Sequence, residues 1–211
     1  SFGYVLGGDY REGQMITRQT AKDRVQESLR MLAEGHGDAF VSTGNTGALF
    51  TGATLIVRKA KGVLRAGIGA IVPMQVPVLL LDTGANIAVT EENLEQFAVM
   101  GSAYMRKMYG LESPRVGLLN NGAEESKGTP LQQAAYQRLS ACKEIRFVGN
   151  IEGSVAPFDT CDVLVTDGFT GNIFLKTVEG LGKMLLSRLK SVFYASTITK
   201  VAALGVKKQL A

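Results

Sequence analysis

"VLLLDTGANIAVTEENLEQFAVMGSAYMRKMYGLESPRVGLLN", residues 78–120, decides the fold. It opens on the apolar run 78–82 and closes on 115–120, both of strand length and apolar almost throughout. Between them Leu94, Phe97, Ala98, Gly101, Tyr104, Met105 and Met108 recur at helical spacing. Thr90 stands where an N-cap belongs, and Glu91 and Glu92 fall in the first turn, where the helix dipole favours acids. Strands that do not alternate apolar with polar are covered on both faces. Strand, amphipathic helix, strand therefore indicates a mostly parallel sheet between helical layers.

The same grammar extends outward. Further strand-length runs are "DAFVS" (38–42), "IGAIVP" (68–73), "IRFVGN" (145–150) and "DVLVTDG" (162–168). Leu131, Ala134, Ala135 and Leu139 form a shorter helical stripe. From Leu175 the residues Val178, Leu181, Leu185, Leu189, Val192 and Phe193 keep helical spacing, and after "YAST" a second helix follows with Ile198, Val201, Ala202 and Leu204. The expectation is a doubly wound α/β domain over 1–174, continuous with a protruding amphipathic helical hairpin over 175–211. No low-complexity linker or solenoid repeat interrupts it.

The 211 residues are 45% hydrophobic and 20% charged, ordinary for a globular chain. Cys142 and Cys161 lie far apart with no CxxC pairing, so neither a disulfide framework nor a thiolate metal site is suggested, and a reducing cytoplasmic setting is expected. No apolar run has membrane-spanning length, and "SFGYVLGGDY" lacks a signal peptide's basic start, so a chain neither secreted nor integral is expected. The net charge of +4 is unevenly spread: 180–211 holds six basic residues and no acid, which leaves −2 on the rest. A near-neutral body with a basic tail is not a nucleic-acid surface.

Glycine and asparagine recur where strands end: "STGNTG", "LDTGAN", "LLNNGAEESKG", "VGNIEG" and "VTDGFTGN". In a doubly wound sheet the loops after the carboxyl ends of strands line the ligand crevice. "GNTGAL" (44–49) and "GFTGNI" (168–173) have the form of glycine-rich helix starts, which favour an anion, although glycine and asparagine also serve plain turns. Neither a GxxxxGK[ST] loop nor GxGxxG after a strand is present. The single histidine, His36 in "EGHGD", reads as a solvated turn residue, so no Ser-His-Asp or Cys-His arrangement is supplied. Asp82, Asp167, Glu124 and Glu125 are the only evident oxygen ligands, and no metal or cofactor is expected. Without a protein nucleophile, the inventory suits orthophosphate attacking an activated acyl thioester: phosphate brings the nucleophilic oxygen and the thiol leaves readily. The chain need only hold the anion and stabilise the developing oxyanion.

The motifs "DAFVSTGNTGAL", "LLLDTGAN", "FAVMGSAYM", "PRVGLLNNGAEESKG", "FVGNIEG" and "DVLVTDGFTGNIFLKTVEG", in this order over about 29–204, resemble the bacterial phosphate acyltransferase family PlsX. The resemblance implies a fold like the phosphotransacetylases and the isocitrate and isopropylmalate dehydrogenases, and a homodimer. It implies conversion of acyl groups on acyl carrier protein, with inorganic phosphate, to acyl phosphate in phospholipid synthesis. The product would pass to a membrane glycerol-3-phosphate acyltransferase. Carried over by motif, the important residues are Lys127 of "EESKG", for phosphate or oxyanion charge, and Asn172 of "FTGN", for polarising the thioester carbonyl. Asn45, Thr46, Gly47, Asp82, Asn86, Asn120, Asp167, Gly168, Thr170 and Gly171 would orient substrate or shape the loops.

Some segments depart from the pattern. Lys22-Asp23 is followed by Arg24-Val25 where the family carries "KDSS", 1–20 matches poorly apart from Gly7 to Asp9, and family members are longer. An incomplete family fold is therefore expected, lacking part of the amino-terminal region. The other readings of the same inventory are a phosphotransacetylase acting on short acyl-CoA, a nicotinamide-dependent dehydrogenase of this fold, and a non-catalytic docking scaffold.

The tail joins apolar helical faces to Lys183, Arg188, Lys190, Lys200, Lys207 and Lys208. Composition leaves open a membrane-surface or carrier-docking element and a dimer-packing hairpin with solvated lysines. The resemblance favours docking, with Lys190, Ile198, Lys200, Val201, Leu204, Lys207 and Lys208 meeting an anionic membrane or the acidic carrier, and a cytoplasmic, peripherally membrane-associated protein.

Overall fold

Apolar runs become strands where a neighbour can complete the backbone ladder. The computed structural model describes residues 18–43 and 45–195. Its strands are β1 (Gly69–Pro73), β2 (Pro77–Leu81), β3 (Arg115–Asn120), β4 (Arg146–Glu152) and β5 (Val163–Val165). They form one sheet in the order β1-β2-β5-β3-β4, in which β1 and β2 are an antiparallel hairpin and every other pairing is parallel. Pro73 and Pro77 pair at the hairpin's turn, where a missing N–H costs least.

β5 joins the two halves of the sheet. Its three residues are fully buried, with Val165 opposite both Leu81 of β2 and Leu118 of β3. The carboxyl ends of β2, β5 and β3 thus stop at nearly one level. Loops leaving these strands start along a common rim.

The helices are α1 (Arg18–Ala33), α2 (Thr46–Gly52) running on into a π turn at Ala53–Val57, α3 (Glu91–Tyr109), α4 (Pro130–Ala141) and α5 (Gly168–Phe193). Helix α3 begins where the sequence places its cap: Thr90 Oγ1 accepts from the Asn93 N–H at 3.3 Å and Asn93 Oδ1 accepts from the Thr90 N–H at 3.1 Å. It ends at Gly110 in the left-handed region, φ 69°. Leu94, Phe97, Ala98 and Met105 of α3 and Ala135 and Leu139 of α4 cover one sheet face with Leu79, Leu81, Val116, Leu118, Val163 and Val165. Burying Phe97 completely contributes about 1.5–3 kcal/mol. Phe174, Leu175 and Val178 of α5 pack on the opposite face over Val78, Leu80, Ile151 and Leu164. Helices therefore lie on both faces of a mostly parallel sheet, as expected.

Three expectations change. "DAFVS" forms no strand: no described strand pairs with residues 38–42, and Val41 is 78% exposed. Tyr104 and Met108 of the α3 stripe are exposed rather than buried, Tyr104 because it sits at the stripe's margin and Met108 because it falls in the last turn. The tail helix starts at Gly168, so α5 passes unbroken through residues 174 and 175 and spans 26 residues, about 39 Å. Beyond Val178 its apolar side chains Leu181, Leu185, Leu186 and Val192 are exposed. The expected second helix lies outside the described residues, as do Ile198, Lys200, Val201, Leu204, Lys207 and Lys208. No described helix is long and apolar enough to cross a membrane.

Candidate active site

A carboxylate buried without a cation must be met by N–H donors. Asp82, directly after β2, has no exposed surface. Its Oδ1 accepts from the N–H groups of Ile68, Gly84 and Ala85, each at 3.1 Å, and its Oδ2 from the Asn86 N–H at 2.7 Å and Asn86 Nδ2 at 2.8 Å. Asn86 Nδ2 also donates to the Ala66 carbonyl at 2.7 Å. Both side chains are turned into the loop that they organise.

The next strand end is stitched to this loop. After β5, Asp167 caps α5: its carboxylate accepts from the Thr170 N–H at 2.9 Å and the Thr170 hydroxyl at 2.7 Å. The Gly168 N–H donates to the Asn86 carbonyl at 2.8 Å and the Gly171 N–H to the Asp167 carbonyl at 2.9 Å. Three N–H groups of the α5 start thus have acceptors within the protein, and an acid already sits there. The glycines of "GFTGNI" serve close packing instead of an open anion cradle: a Cβ on Gly171 would stand 1.9 Å from the Asp82 carbonyl oxygen, and one on Gly168 would stand 2.8 Å from that of Asn86. Asn172 follows, exposed, with its carboxamide against Gly84 of the β2 loop.

The third loop, 121–129 after β3, is built differently. Its backbone is fixed while its lysine is left available. Asn120 Nδ2 donates to the Lys127 carbonyl at 3.2 Å, Gln133 Nε2 to the Ser126 carbonyl at 2.7 Å, and Asn150 Nδ2 to the Glu124 carbonyl at 2.8 Å. The Lys127 N–H closes a turn onto that same Glu124 carbonyl at 3.1 Å. Gly128 follows at φ +85°, a left-handed position that glycine adopts freely. The Lys127 side chain is 48% exposed, and its Nζ is 4.0 Å from Glu124 Oε2, itself on an exposed side chain. A pair that long and that solvated holds little energy, so the ammonium remains free to meet an anion.

Because β3 and β5 are adjacent and parallel, the loop bearing Lys127 and the start of α5 bearing Asn172 leave the same rim side by side, and the Asp82 loop leaves β2 on the other side of β5. Asn45, Thr46 and Gly47 are not drawn into this cluster by the principal packing: α1, α2 and the π turn pack chiefly on one another. Asn45 Oδ1 accepts from the Ala48 N–H at 3.0 Å and so caps its own helix. Among the described residues no group of three His, Cys, Asp or Glu could hold a metal ion. Lys190 lies in the last turn of α5, far along the helix from the rim.

Asn150 was not among the candidate residues, although "VGNIEG" was among the strand-end loops. The signal was its setting: a carboxamide within an apolar strand run must find partners, and this one is 6% exposed.

The sheet's opposite end carries its strongest ion pairing. Arg115, opening β3, donates to both carboxylate oxygens of Asp162, from Nε at 3.1 Å and Nη2 at 2.8 Å, and to the Asp159 carbonyl at 3.0 Å. Its guanidinium is raised further by the Asp162 and Asp159 hydrogen bonds. Burial pushes the Asp162 carboxyl up, but the hydrogen bonds and charge of Arg115 more than offset this, and it sits below the ordinary carboxylate range. Burial pushes the Cys161 thiol up to about 11, so it is no ready nucleophile.

A family model described as "Fatty acid synthesis protein" matches residues 12–211. A phosphate acyltransferase of Acetivibrio thermocellus is 46% identical over 183 residues, covering 86% of this chain and 54% of the relative. One from Streptococcus pyogenes is 41% identical over 202 residues, covering 94% of this chain and 60% of the relative. The chain thus spans about half the length of the curated relatives it matches. Among solved structures, a phosphotransacetylase from Streptococcus pyogenes superposes with a TM-score of 0.61 at 19% identity, over 78% of this chain and 57% of that one, which shows a shared fold.

Proposed function

Because the chain belongs to the PlsX family of phosphate acyltransferases, which the family model describes as fatty acid synthesis proteins, we propose that the rim transfers an acyl group from acyl carrier protein to inorganic phosphate. In this reading a phosphate oxygen attacks the thioester carbonyl carbon and forms a tetrahedral oxyanion. The C–S bond then breaks, acyl phosphate departs, and the carrier thiolate takes up a proton. Lys127 neutralises phosphate and oxyanion charge, and Asn172 Nδ2 donates to the carbonyl oxygen. Asp82, Asn86, Asn120, Asp167, Gly168, Thr170 and Gly171 hold the loop and the helix start that carry these two.

One observation carries the reading: a lysine whose turn is pinned through three backbone carbonyls, yet whose ammonium has, among the described residues, only a 4.0 Å contact, on a loop beside the helix start that bears Asn172. Fixed backbone with an uncommitted cation is what preorganised stabilisation of an oxyanion needs.

The exposed apolar residues of α5, interleaved with Lys183, Arg188 and Lys190, support peripheral contact with an anionic membrane. Such contact would bring acyl phosphate to a membrane glycerol-3-phosphate acyltransferase, with the protein a cytoplasmic homodimer in phospholipid synthesis. The test of the reaction is release of free carrier thiol from long-chain acyl carrier protein, with and without phosphate, against short acyl-CoA as donor. Phosphate-dependent release from the carrier is expected. Release that ignores phosphate, or occurs only from short acyl-CoA, refutes the proposal.

A further inference from the structure

We infer that Asn150 is a positioning residue, which holds the Lys127 turn in place through the Glu124 carbonyl and serves the handling of phosphate rather than the stability of the fold. The inference rests on the reading of Lys127 given above. Asn150 lies in β4 opposite Leu118 of β3 and is 6% exposed. Its Nδ2 donates at 2.8 Å to the carbonyl that also accepts the Lys127 N–H at 3.1 Å, so one oxygen both closes the turn and receives the anchor. The other two anchors, from Asn120 and Gln133, are exposed and compete with water. The bond from Asn150 is the sheltered one, and shelter strengthens it.

The carboxamide's other half shows what the residue is for. Only an N–H can face a carbonyl, so Oδ1 points elsewhere, and it is buried with no hydrogen-bond partner among the described residues. An orphaned acceptor is a cost that a leucine of similar volume would not incur. Core packing therefore gives no reason for asparagine at this position. The donor to the loop does.

The experiment uses the full-length protein with Asn150→Leu, Lys127→Ala and the double variant. For Asn150→Leu we expect an unchanged or raised melting temperature, about tenfold faster hydrogen exchange at the Lys127 amide, and a KM for inorganic phosphate raised about tenfold with the KM for acyl carrier protein unchanged. In the Lys127→Ala background, Asn150→Leu should cost less than about twofold more, because both changes act through one group. Unchanged exchange at Lys127, or losses that simply multiply, overturns the inference. So does a clear fall in melting temperature, which makes the side chain structural; Asn150→Ala then reports the exchange independently. If Lys127→Ala turns over like the wild type, the catalytic reading fails, while the exchange result still decides whether Asn150 holds the turn.

Discussion

Replacing Gly171 by alanine tests the junction that carries Asn172. Helix propensity alone predicts stabilisation, since alanine is favoured over glycine within a helix by about 1 kcal/mol. The structure predicts the reverse. The new Cβ would stand 1.9 Å from the Asp82 carbonyl oxygen, against 3.4 Å for ordinary contact, so α5 must retreat by 1.5 Å. Neither neighbour yields easily, because the oxygen is backbone and the Asp82 loop is tied by five N–H donors to one carboxylate. Overpacking of this kind costs about 1–3 kcal/mol, or about 2–12 °C in melting temperature for a chain of this size. Asn172, the next residue, moves with the helix, and a displacement near 1 Å at a reacting group costs about 100-fold in turnover. Thermal melts and phosphate-dependent thiol release measure the two effects. A Gly171→Ala protein that melts at or above the wild-type temperature with full activity would refute this account of the junction.

Lys127→Ala should lower phosphate-dependent thiol release by about 100- to 1,000-fold and leave the melting temperature within about 1 °C, because among the described residues the ammonium has only its long contact to Glu124. The Asp162 carboxyl is depressed in the folded protein, so its contribution is present above the unfolded value near 3.9 and is lost as pH falls through the folded one. Melting temperature should therefore fall less steeply between about pH 5 and pH 2 in Asp162→Asn than in the wild type, and identical slopes would remove the Arg115 pairing as the cause. Of the two free thiols, partly exposed Cys142 should react with a disulfide reagent at pH 8 in the native protein, whereas buried Cys161, at about 11, should react only on unfolding.

The β2–α3–β3 unit was legible because local rules agree there: apolar runs at both ends, a stripe at Leu94, Phe97, Ala98, Gly101 and Met105, and Thr90 to begin the helix. What sequence could not supply was partnership. Residues 38–42 have a strand's composition but no described neighbour to pair with, whereas the three residues of β5 are held on both sides. The loops that bear the candidate site could be located, since glycine and asparagine cluster at strand ends. Which way their side chains turn could not. Asp82 and Asp167 read as groups that either orient substrate or shape the loops, and only in three dimensions do they accept N–H bonds from their own loops. Asn150 shows the same gap from the other side: its strand was evident, but its bond to Glu124 spans 26 residues, beyond any local pattern.

The sheet's order has a consequence for how the chain is made. The middle strand is the last of the described strands, so a nascent chain that has emerged only as far as residue 160 holds a β1–β2 hairpin and a β3–β4 pair with no strand to pair their facing edges. β2 and β3 each present an apolar edge in that interval, and such edges invite pairing with other chains. Val163, Leu164 and Val165 act as a keystone, and assembly waits on this late, long-range step.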